Sequence, residues 1–196
     1  MEASIAFIIG NGPSRNQIDL NSLSSFGKTF GCNALYRDFQ GLDYLVAIDD
    51  GMIDEIDASV RIGVCKSEAI FPPEEEQYES AEYNPFQRRR SNAGMNAMLE
   101  AVRRDHNILY CLGFDFILEG SASVANVYKD TANYGPETHA HESDNFYRIK
   151  YFEWFARKYD QTTFVMVIPD GTATKKVDAD NVVGMPVSTF LQNLEH

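Results

Sequence analysis

Short, nearly continuous apolar runs recur along the chain, and amphipathic helical patterns lie between the later ones. The β-rich runs cover residues 5–9, 28–32, 44–48, 60–64, 107–112 and 163–168. Strands with one face in water alternate apolar and polar residues, whereas these runs do not, so burial on both faces is expected. Residues 92–104 and 145–159 instead carry apolar side chains at helical spacing. This alternation predicts a Rossmann-like α/β fold, with a mainly parallel sheet and helices on both faces.

The size and composition suit one domain with one core. The chain has 196 residues, of which 44% are hydrophobic and 23% are charged, and no shift in composition marks a boundary. We therefore predict a single domain over residues 1–193, and we interpret 194–196 as the remnant of an expression tag. Two polar stretches without periodicity interrupt the alternation, at 71–90 and 117–143. The first is interpreted as a solvated excursion and the second as a lid loop.

Charge and cysteine usage limit the partners and the compartment. The formal net charge is −12, which argues against a nucleic-acid partner because binding its phosphates requires a basic face. No apolar run approaches the roughly 20 residues of a membrane span, and the N-terminus lacks the basic segment of a signal peptide. Cys32, Cys65 and Cys111 lie in or just after apolar runs, which predicts buried free thiols and a reducing compartment. We expect a cytoplasmic protein without a transmembrane segment, and a homo-oligomer is left open.

A glycine turn follows the first predicted strand. Residues 10–14 read GNGPS, and glycines let a backbone turn sharply and let a ligand approach closely. In open α/β sheets, ligands bind beyond the carboxyl ends of the strands. Gly10, Asn11, Gly12 and Ser14 are therefore candidate binding residues, although the pentapeptide could also be a purely structural turn. Asn33 ends the second strand beside this turn, where its amide could contact a base or ribose edge or simply make a turn.

Two common phosphate-binding patterns do not match this turn. The dinucleotide fingerprint needs a third glycine where Arg15 stands, and an acidic residue after the second strand, where the chain has Cys32 and Asn33. The Gly-Lys-Ser/Thr sequence of a Walker A loop is missing as well. The turn is therefore predicted to serve a ligand other than a dinucleotide.

Several motifs in order resemble the bacterial CMP-sialic acid sialyltransferases of glycosyltransferase family 42. The matching pieces are GNGPS at 10–14, GCN at 31–33 followed by Tyr36, RSNAG at 90–94 opening a helix, GFDF at 113–116 after a strand, GSAS at 120–123, and a histidine-containing lid ahead of an aromatic helix. The order agrees along most of residues 5–170. The ordered set is more specific than any one of its pieces.

The resemblance implies an inverting transferase that uses a CMP-sugar donor and a glycan acceptor, with no metal and no other cofactor. It implies nucleotide or donor contacts for Gly10, Asn11, Gly12, Ser14, Asn33, Arg90, Ala93, Gly94 and Asp115. It also implies that a lid histidine is the general base. An imidazole can take the proton of an attacking hydroxyl near neutral pH. His141 lies nearer the expected distance from the following helix, and His139 is the other candidate.

The chain departs from the family at positions that matter for chemistry. Tyrosines that hydrogen-bond the leaving phosphate are expected where Ile117 and Ser123 stand, and a serine is expected at Ala93. Isoleucine cannot donate a hydrogen bond. Either Tyr128, Tyr134 or Arg90 supplies the missing donors, or the protein is a non-catalytic relative that binds a nucleotide sugar.

Other polar clusters carry alternative interpretations. His139 and His141, with Glu142, could bind zinc or could be a solvated loop. Asp49 and Asp50 follow the third strand and could bind Mg²⁺ in a pyrophosphokinase-like enzyme, contact a hydroxyl, or cap a helix.

Two further charged segments also allow both a functional and a structural interpretation. The pair at 178 and 180 matches the DxD pattern of metal-dependent glycosyltransferases, but a polar stretch precedes it, which favours a surface loop. Arg90 could capture a phosphate or carboxylate, or it could balance the glutamates at 74–76.

Overall fold

The computed structural model describes residues 3–73 and 92–195, and the described chain forms one seven-stranded sheet. The strands are β1 (Ile5–Ile9), β2 (Lys28–Cys32), β3 (Tyr44–Val46), β4 (Glu68–Ile70), β5 (Ile108–Leu112), β6 (Thr163–Ile168) and β7 (Val182–Pro186). Every neighbouring pair is parallel, in the order β4-β3-β2-β1-β5-β6-β7. The predicted Rossmann-like α/β class is confirmed.

Four α-helices are described with this sheet: α1 (Asp50–Arg61), α2 (Ala93–Arg103), α3 (Asn145–Lys158) and α4 (Val187–Leu194). Successive residues of β1 belong to different core clusters. Ile8 packs in the cluster that holds α2 and α3, whereas Phe7 packs in the cluster that holds α1 and α4. Both faces of the strand are buried, which explains why its sequence is continuously apolar.

The strand predicted at 60–64 is wrong. Helix α1 runs to Arg61 and a turn follows, and the fourth strand lies at Glu68–Ile70 instead. Val60, Ile62 and Val64 are 40%, 76% and 48% exposed. A short apolar run carries no periodicity that separates a helix end from a strand, and here the helix that begins at Asp50 simply continues into it.

The C-terminal strand and helix were not predicted. β7 reads VVGMP at the edge of the sheet, and glycine and proline both weaken a strand pattern. Helix α4 follows it directly, and its last residue, Leu194, packs against the core beside Phe190. The domain bounds of 1–193 and the tag at 194–196 remain predictions.

Three further outcomes concern the rest of the chain. Cys32, Cys65 and Cys111 are buried and free, as predicted. No helix within the described ranges is long and apolar enough to cross a membrane. The predicted excursion at 71–90 falls mostly outside the described residues, and so does Arg90.

The strand order places a switch point beside β1. From β1 the chain first builds toward β2, β3 and β4, and it later returns to place β5 on the other side of β1. The connections therefore leave β1 and β5 in opposite directions, which opens a crevice at their carboxyl ends. In open α/β sheets this crevice is where ligands bind.

Candidate functional site

A cavity of about 1050 Å³ occupies that crevice. Residues that follow β1, β2, β3 and β5 form its base, namely Asn11, Asn33, Asp49 and Gly113. The N-terminus of α2 forms one side, and residues of the predicted lid between Ser121 and His141 form the other. Since the carboxyl ends of parallel strands meet at one edge of a sheet, residues distant in sequence converge here.

The glycines of the turn serve the approach of two backbones. Gly10 N donates to Leu112 O at 2.7 Å and Gly12 N donates to Gly113 O at 2.9 Å, so the β1–β5 pairing continues beyond the strands. A Cβ on Gly10 would lie 2.6 Å from the carbonyl oxygen of Gly113. Gly113 itself has a φ of +70°, a conformation that favours glycine. The glycines were expected to let a ligand approach, but in the structure they let the backbone of the segment after β5 approach the turn.

Ser14 and Asp115 bind each other. Ser14 N donates to Asp115 Oδ2 at 3.0 Å, and the Ser14 hydroxyl donates to Asp115 Oδ1. Both side chains are buried, and Asp115 lines the cavity whereas Ser14 does not. Burial raises the pKa of Asp115, although the hydrogen bonds from Ser14 oppose that shift. Ser14 does not cap the 3-10 helix Pro13–Gln17, because Gly12 holds the N-cap position and Ser14 lies inside the helix.

The two asparagines at the switch point leave their amide oxygens free. Asn11 Nδ2 donates to Cys32 O at 3.2 Å, which orients the amide, and its Oδ1 has no partner among the described residues. Asn33 has a φ of +54°, and its buried Oδ1 is unpartnered within the same part of the chain. Cys32 between them is inert, because burial raises the pKa of its thiol to about 12.

Unpartnered buried polar atoms gather at this cavity. Within the described ranges, six such side-chain atoms occur, and five of them belong to cavity residues; the sixth is Arg15 Nε. The five are Asn11 Oδ1, Asn33 Oδ1, Ser123 Oγ, Tyr134 Oη and His139 Nε2. Buried polar groups in proteins are nearly always paired, because an unmade hydrogen bond costs about 1–3 kcal/mol. Their concentration in one crevice indicates a place where a polar ligand or water completes the bonds.

Helix α2 points its N-terminus at the cavity. Asn92 Oδ1 caps the helix by accepting from Met95 N at 2.9 Å, while Ala93 and Gly94 line the cavity. A Cβ on Gly94 would lie 2.8 Å from the Phe114 ring, so glycine lets that ring pack against the helix. The helix N-terminus presents positive partial charge toward the crevice.

The cavity holds basic side chains that the sequence motifs did not indicate. Lys129 and Arg148 both line it. Arg148 Nη1 donates to Asn145 Oδ1 at 2.8 Å, and Asn145 is fully buried beneath it. Lys129 lies in the lid and Arg148 lies one turn into α3, so neither follows a strand. Only their position after folding marks them, and no local pattern could have singled them out.

Both lid histidines line the cavity, but their surroundings differ. His139 is half-buried, and its Nε2 lies 3.0 Å from Asp130 Oδ1, although its N–H does not align on that oxygen. His141 is exposed. Asp130 has a φ of +63° and holds its place through a hydrogen bond from its N to Tyr134 O at 2.9 Å.

The structure separates the tyrosines that were considered as phosphate ligands. Tyr134 lines the cavity, and burial raises the pKa of its hydroxyl, although the neighbouring Asn33 side chain and Ala34 backbone oppose that shift, so it stays neutral. Tyr128 does not line the cavity. Its hydroxyl donates to Asp38 and accepts from Arg15 Nη2 at 3.0 Å. Ile117 lies in the hydrophobic core, and Ser123 lines the cavity.

The acidic pairs differ in position as well. Asp49 lines the cavity, and burial together with the neighbouring Asp50 raises its pKa. Asp178 lies at the surface, paired with Arg157 at 2.7 Å, as the surface-loop interpretation predicted. Within the part of the chain that the structure describes, no group of three or more His, Cys, Asp or Glu side chains is placed to hold a metal ion.

The chain was compared with models of known protein families and with curated protein sequences, and neither comparison found a match. Similar solved structures include a point mutant of the α-2,3/8-sialyltransferase CstII, with a TM-score of 0.53 and 13% identity over 97% of this chain and 100% of that one. They also include the MAf glycosyltransferase from Magnetospirillum magneticum AMB-1, with a TM-score of 0.54 and 14% identity. This chain is covered over 93% of its length, but it spans only 33% of the MAf protein. At these identities the likeness shows a glycosyltransferase-like fold and does not define a family.

Proposed function

We propose that this protein is a glycosyltransferase that binds a CMP-sugar at the switch point of its sheet and transfers the sugar, with inversion and without a metal, to a glycan acceptor. The observation that carries the proposal is the set of five unpartnered polar atoms around the cavity. The glycosyltransferase-like fold supports it. The ordered motifs that resemble family 42 supply the identity of the nucleotide.

The nucleoside end of the donor is assigned to Asn11 and Asn33. Their free amide oxygens accept hydrogen bonds, as the exocyclic amine of cytosine and the ribose hydroxyls require. The bond from Asn11 Nδ2 to Cys32 O holds one of these oxygens in place before a ligand arrives. Such preorganisation reduces the entropy lost on binding.

The phosphate and the sugar carboxylate are assigned to the N-terminus of α2 and to hydroxyls of the lid. The N-terminus of α2 offers the N–H groups of Ala93 and Gly94, and the hydroxyls of Ser123 and Tyr134 face the same cavity. Ser123 stands where the family has a tyrosine, and a serine hydroxyl can also donate to a phosphate oxygen. Arg148, which also lines the cavity, adds positive charge.

We assign the general base to His139 rather than His141. The Asp130 carboxylate beside His139 Nε2 can orient the ring and stabilise its protonated form. In the transfer, the acceptor oxygen forms a bond to the anomeric carbon as the bond from that carbon to the phosphate oxygen breaks. CMP leaves with the electron pair, and the acceptor proton passes to His139.

Calorimetry with CMP and CMP-sialic acid tests the proposal, with Asn33→Gly as the key variant. Glycine accepts the left-handed backbone of Asn33, so this change removes the amide without adding strain. We expect CMP to bind, and the variant to lose about tenfold in affinity, or about 1.4 kcal/mol. Asp105→Gly is the matched control, because Asp105 has a φ of +62° but does not line the cavity. If neither nucleotide binds the folded protein at millimolar concentration, the proposal is wrong.

One observation favours a non-catalytic nucleotide-sugar-binding protein as the second candidate. Ile117, at the position of an expected phosphate-binding tyrosine, is part of the hydrophobic core. Under this alternative, CMP-sialic acid binds but is neither transferred nor hydrolysed, and His139→Ala has no turnover to lose. Under the main proposal, His139→Ala keeps most of the CMP affinity and loses turnover by about 10²–10⁴-fold.

A further inference from the structure

Ser14, the last residue of the turn after β1, directs both its N–H and its hydroxyl at a carboxylate of the same chain. In many nucleotide-binding α/β proteins, backbone N–H groups of this turn receive a phosphate or pyrophosphate. Here the N–H of Ser14 donates to Asp115 Oδ2 at 3.0 Å, and the Ser14 hydroxyl donates to Asp115 Oδ1. Asp115 comes from the segment after β5, about a hundred residues later in the chain.

The turn closes tightly around this carboxylate. A Cβ on Gly12 would lie within 2.5 Å of Asp115 Oδ2, so only glycine allows the carboxylate to sit where it does. Asp115 is 7% exposed, and it still contributes to the cavity wall. A phosphate could not share this position without displacing the side chain.

The carboxylate also makes this part of the cavity unfavourable for anions. No ion pair joins Asp115 to a cation within residues 3–73 and 92–195. The basic cavity residues Lys129 and Arg148 lie in the lid and in α3. Two like charges repel strongly in a partly desolvated crevice, so a phosphate next to Asp115 would lose affinity.

We propose that Asp115 is a specificity-determining residue that restricts the donor to a nucleoside monophosphate sugar and excludes nucleoside diphosphates. This inference rests on the proposed nucleotide function and specifies its substrate class. Asn11 and Asn33 hold the nucleoside end, α2 receives one phosphate, and Asp115 takes the place that a second phosphate would use at the turn.

Calorimetric titration with CMP and CDP, which differ only by one phosphate, tests the proposal. Wild-type protein binds CMP at least tenfold more tightly than CDP. Asp115→Asn keeps an oxygen acceptor for Ser14 N but removes the charge, and it narrows the ratio of the two affinities at least threefold. Asp49→Asn is the matched control, because it removes a cavity carboxylate away from the turn, and it leaves that ratio unchanged.

Each outcome has a definite meaning. If wild-type protein binds CDP as tightly as CMP, Asp115 does not exclude a second phosphate, although cytidine nucleotide binding still stands. If CMP is preferred but Asp115→Asn keeps the full ratio, the selectivity has another source and the inference is wrong. If neither nucleotide binds, the proposed function fails and this inference fails with it. The wild-type ratio decides the first of these cases even where the variant does not fold.

Discussion

Two parts of the lid face the same cavity but are held in different ways. The first, residues 126–134, is called here the fastened loop, and the second, residues 135–144, the histidine segment. Arg37 reaches the fastened loop through Thr131 Oγ1 and Ala132 O, each at 3.0 Å. Glu55 accepts from Asn133 Nδ2 at 2.7 Å.

The histidine segment has mostly local bonds. Thr138 Oγ1 donates a hydrogen bond to Gly135 O, and His139 N donates to Pro136 O. The contact of His139 Nε2 with Asp130 Oδ1, at 3.0 Å, ties it to the fastened loop. About half of the side chains are exposed in both segments, so the reach of the hydrogen bonds is what differs. Segments with few buried contacts and exposed backbone bonds open at low free energy.

The lid therefore consists of two segments that are held by different hydrogen bonds. The fastened loop presents Tyr134 to the cavity and Asp130 to His139. The histidine segment carries the proposed base and is the part suited to move when an acceptor enters and leaves. A single long loop in the sequence therefore contains one half held by long-range hydrogen bonds and one half held mainly by local ones.

The largest expected effect on stability comes from removing Glu55, which holds the fastened loop. Glu55 accepts hydrogen bonds from Tyr36 Oη, Arg37 Nε, Arg37 Nη2 and Asn133 Nδ2, at 2.6, 2.8, 2.6 and 2.7 Å. Glu55→Ala leaves these donors unpaired, and we expect the free energy of unfolding to fall by about 2 kcal/mol. Urea denaturation measures this value. Glu137→Ala, in the exposed part of the histidine segment, is the control and changes it by less than about 0.5 kcal/mol. Equal effects of the two changes would show that the halves do not differ.

A smaller effect on the free energy of unfolding is expected when the pH is lowered. Burial by itself would raise the pKa of Glu55, but hydrogen bonds from Arg37, Tyr36 and Asn133 outweigh it, and the pKa is lowered. A lowered pKa stabilises the fold fully above the unfolded value, about 4.3, and this contribution is lost as the pH falls through the folded value. The difference in unfolding free energy between wild type and Glu55→Gln should therefore narrow below about pH 4. A constant difference from pH 7 to pH 3 would contradict the assignment.

The smallest expected effect concerns the contact between the halves. Asp130 and His139 have side chains that are 62% and 29% exposed, so Asp130→Asn should change the free energy of unfolding by less than about 0.5 kcal/mol. Asparagine also tolerates the left-handed backbone of Asp130. Amide hydrogen exchange should accelerate in residues 136–144 and stay unchanged in 128–134. Faster exchange in both stretches would mean that they open together.

Much of the fold could be predicted because the strands are buried on both faces. β1, β2 and β6 have the predicted bounds. In β1 and β6 a nearly continuous apolar run of five or six residues leaves few alternatives, whereas β2 reads KTFGC and is a weaker pattern. The same reasoning failed at Val60, Ile62 and Val64, where apolar side chains lie exposed after a helix. Tertiary position, and not local pattern, decided that stretch.

The residues of the candidate site also differ in how well the sequence predicts them. Asn11 and Asn33 could be proposed together from the sequence, because parallel strands end at one edge of the sheet and their following loops must meet there. Ala93 and Gly94 could be proposed only from the resemblance to family 42, and they line the same cavity. The sequence favoured His141 over His139, from its spacing to the following helix. Only the position of Asp130 distinguishes their surroundings.

The sequence by itself determined the parallel sheet, its buried strands and the crevice at their carboxyl ends, because these follow from apolar periodicity and from the chemistry of turns. Tertiary structure alone decided what the turn does. The pairing of Ser14 with Asp115 joins residues 101 positions apart, and the bond of Asn133 to Glu55 joins residues 78 apart. Hydrogen bonds and charges act over a few ångströms in space, so no local pattern records which distant partner a side chain will meet.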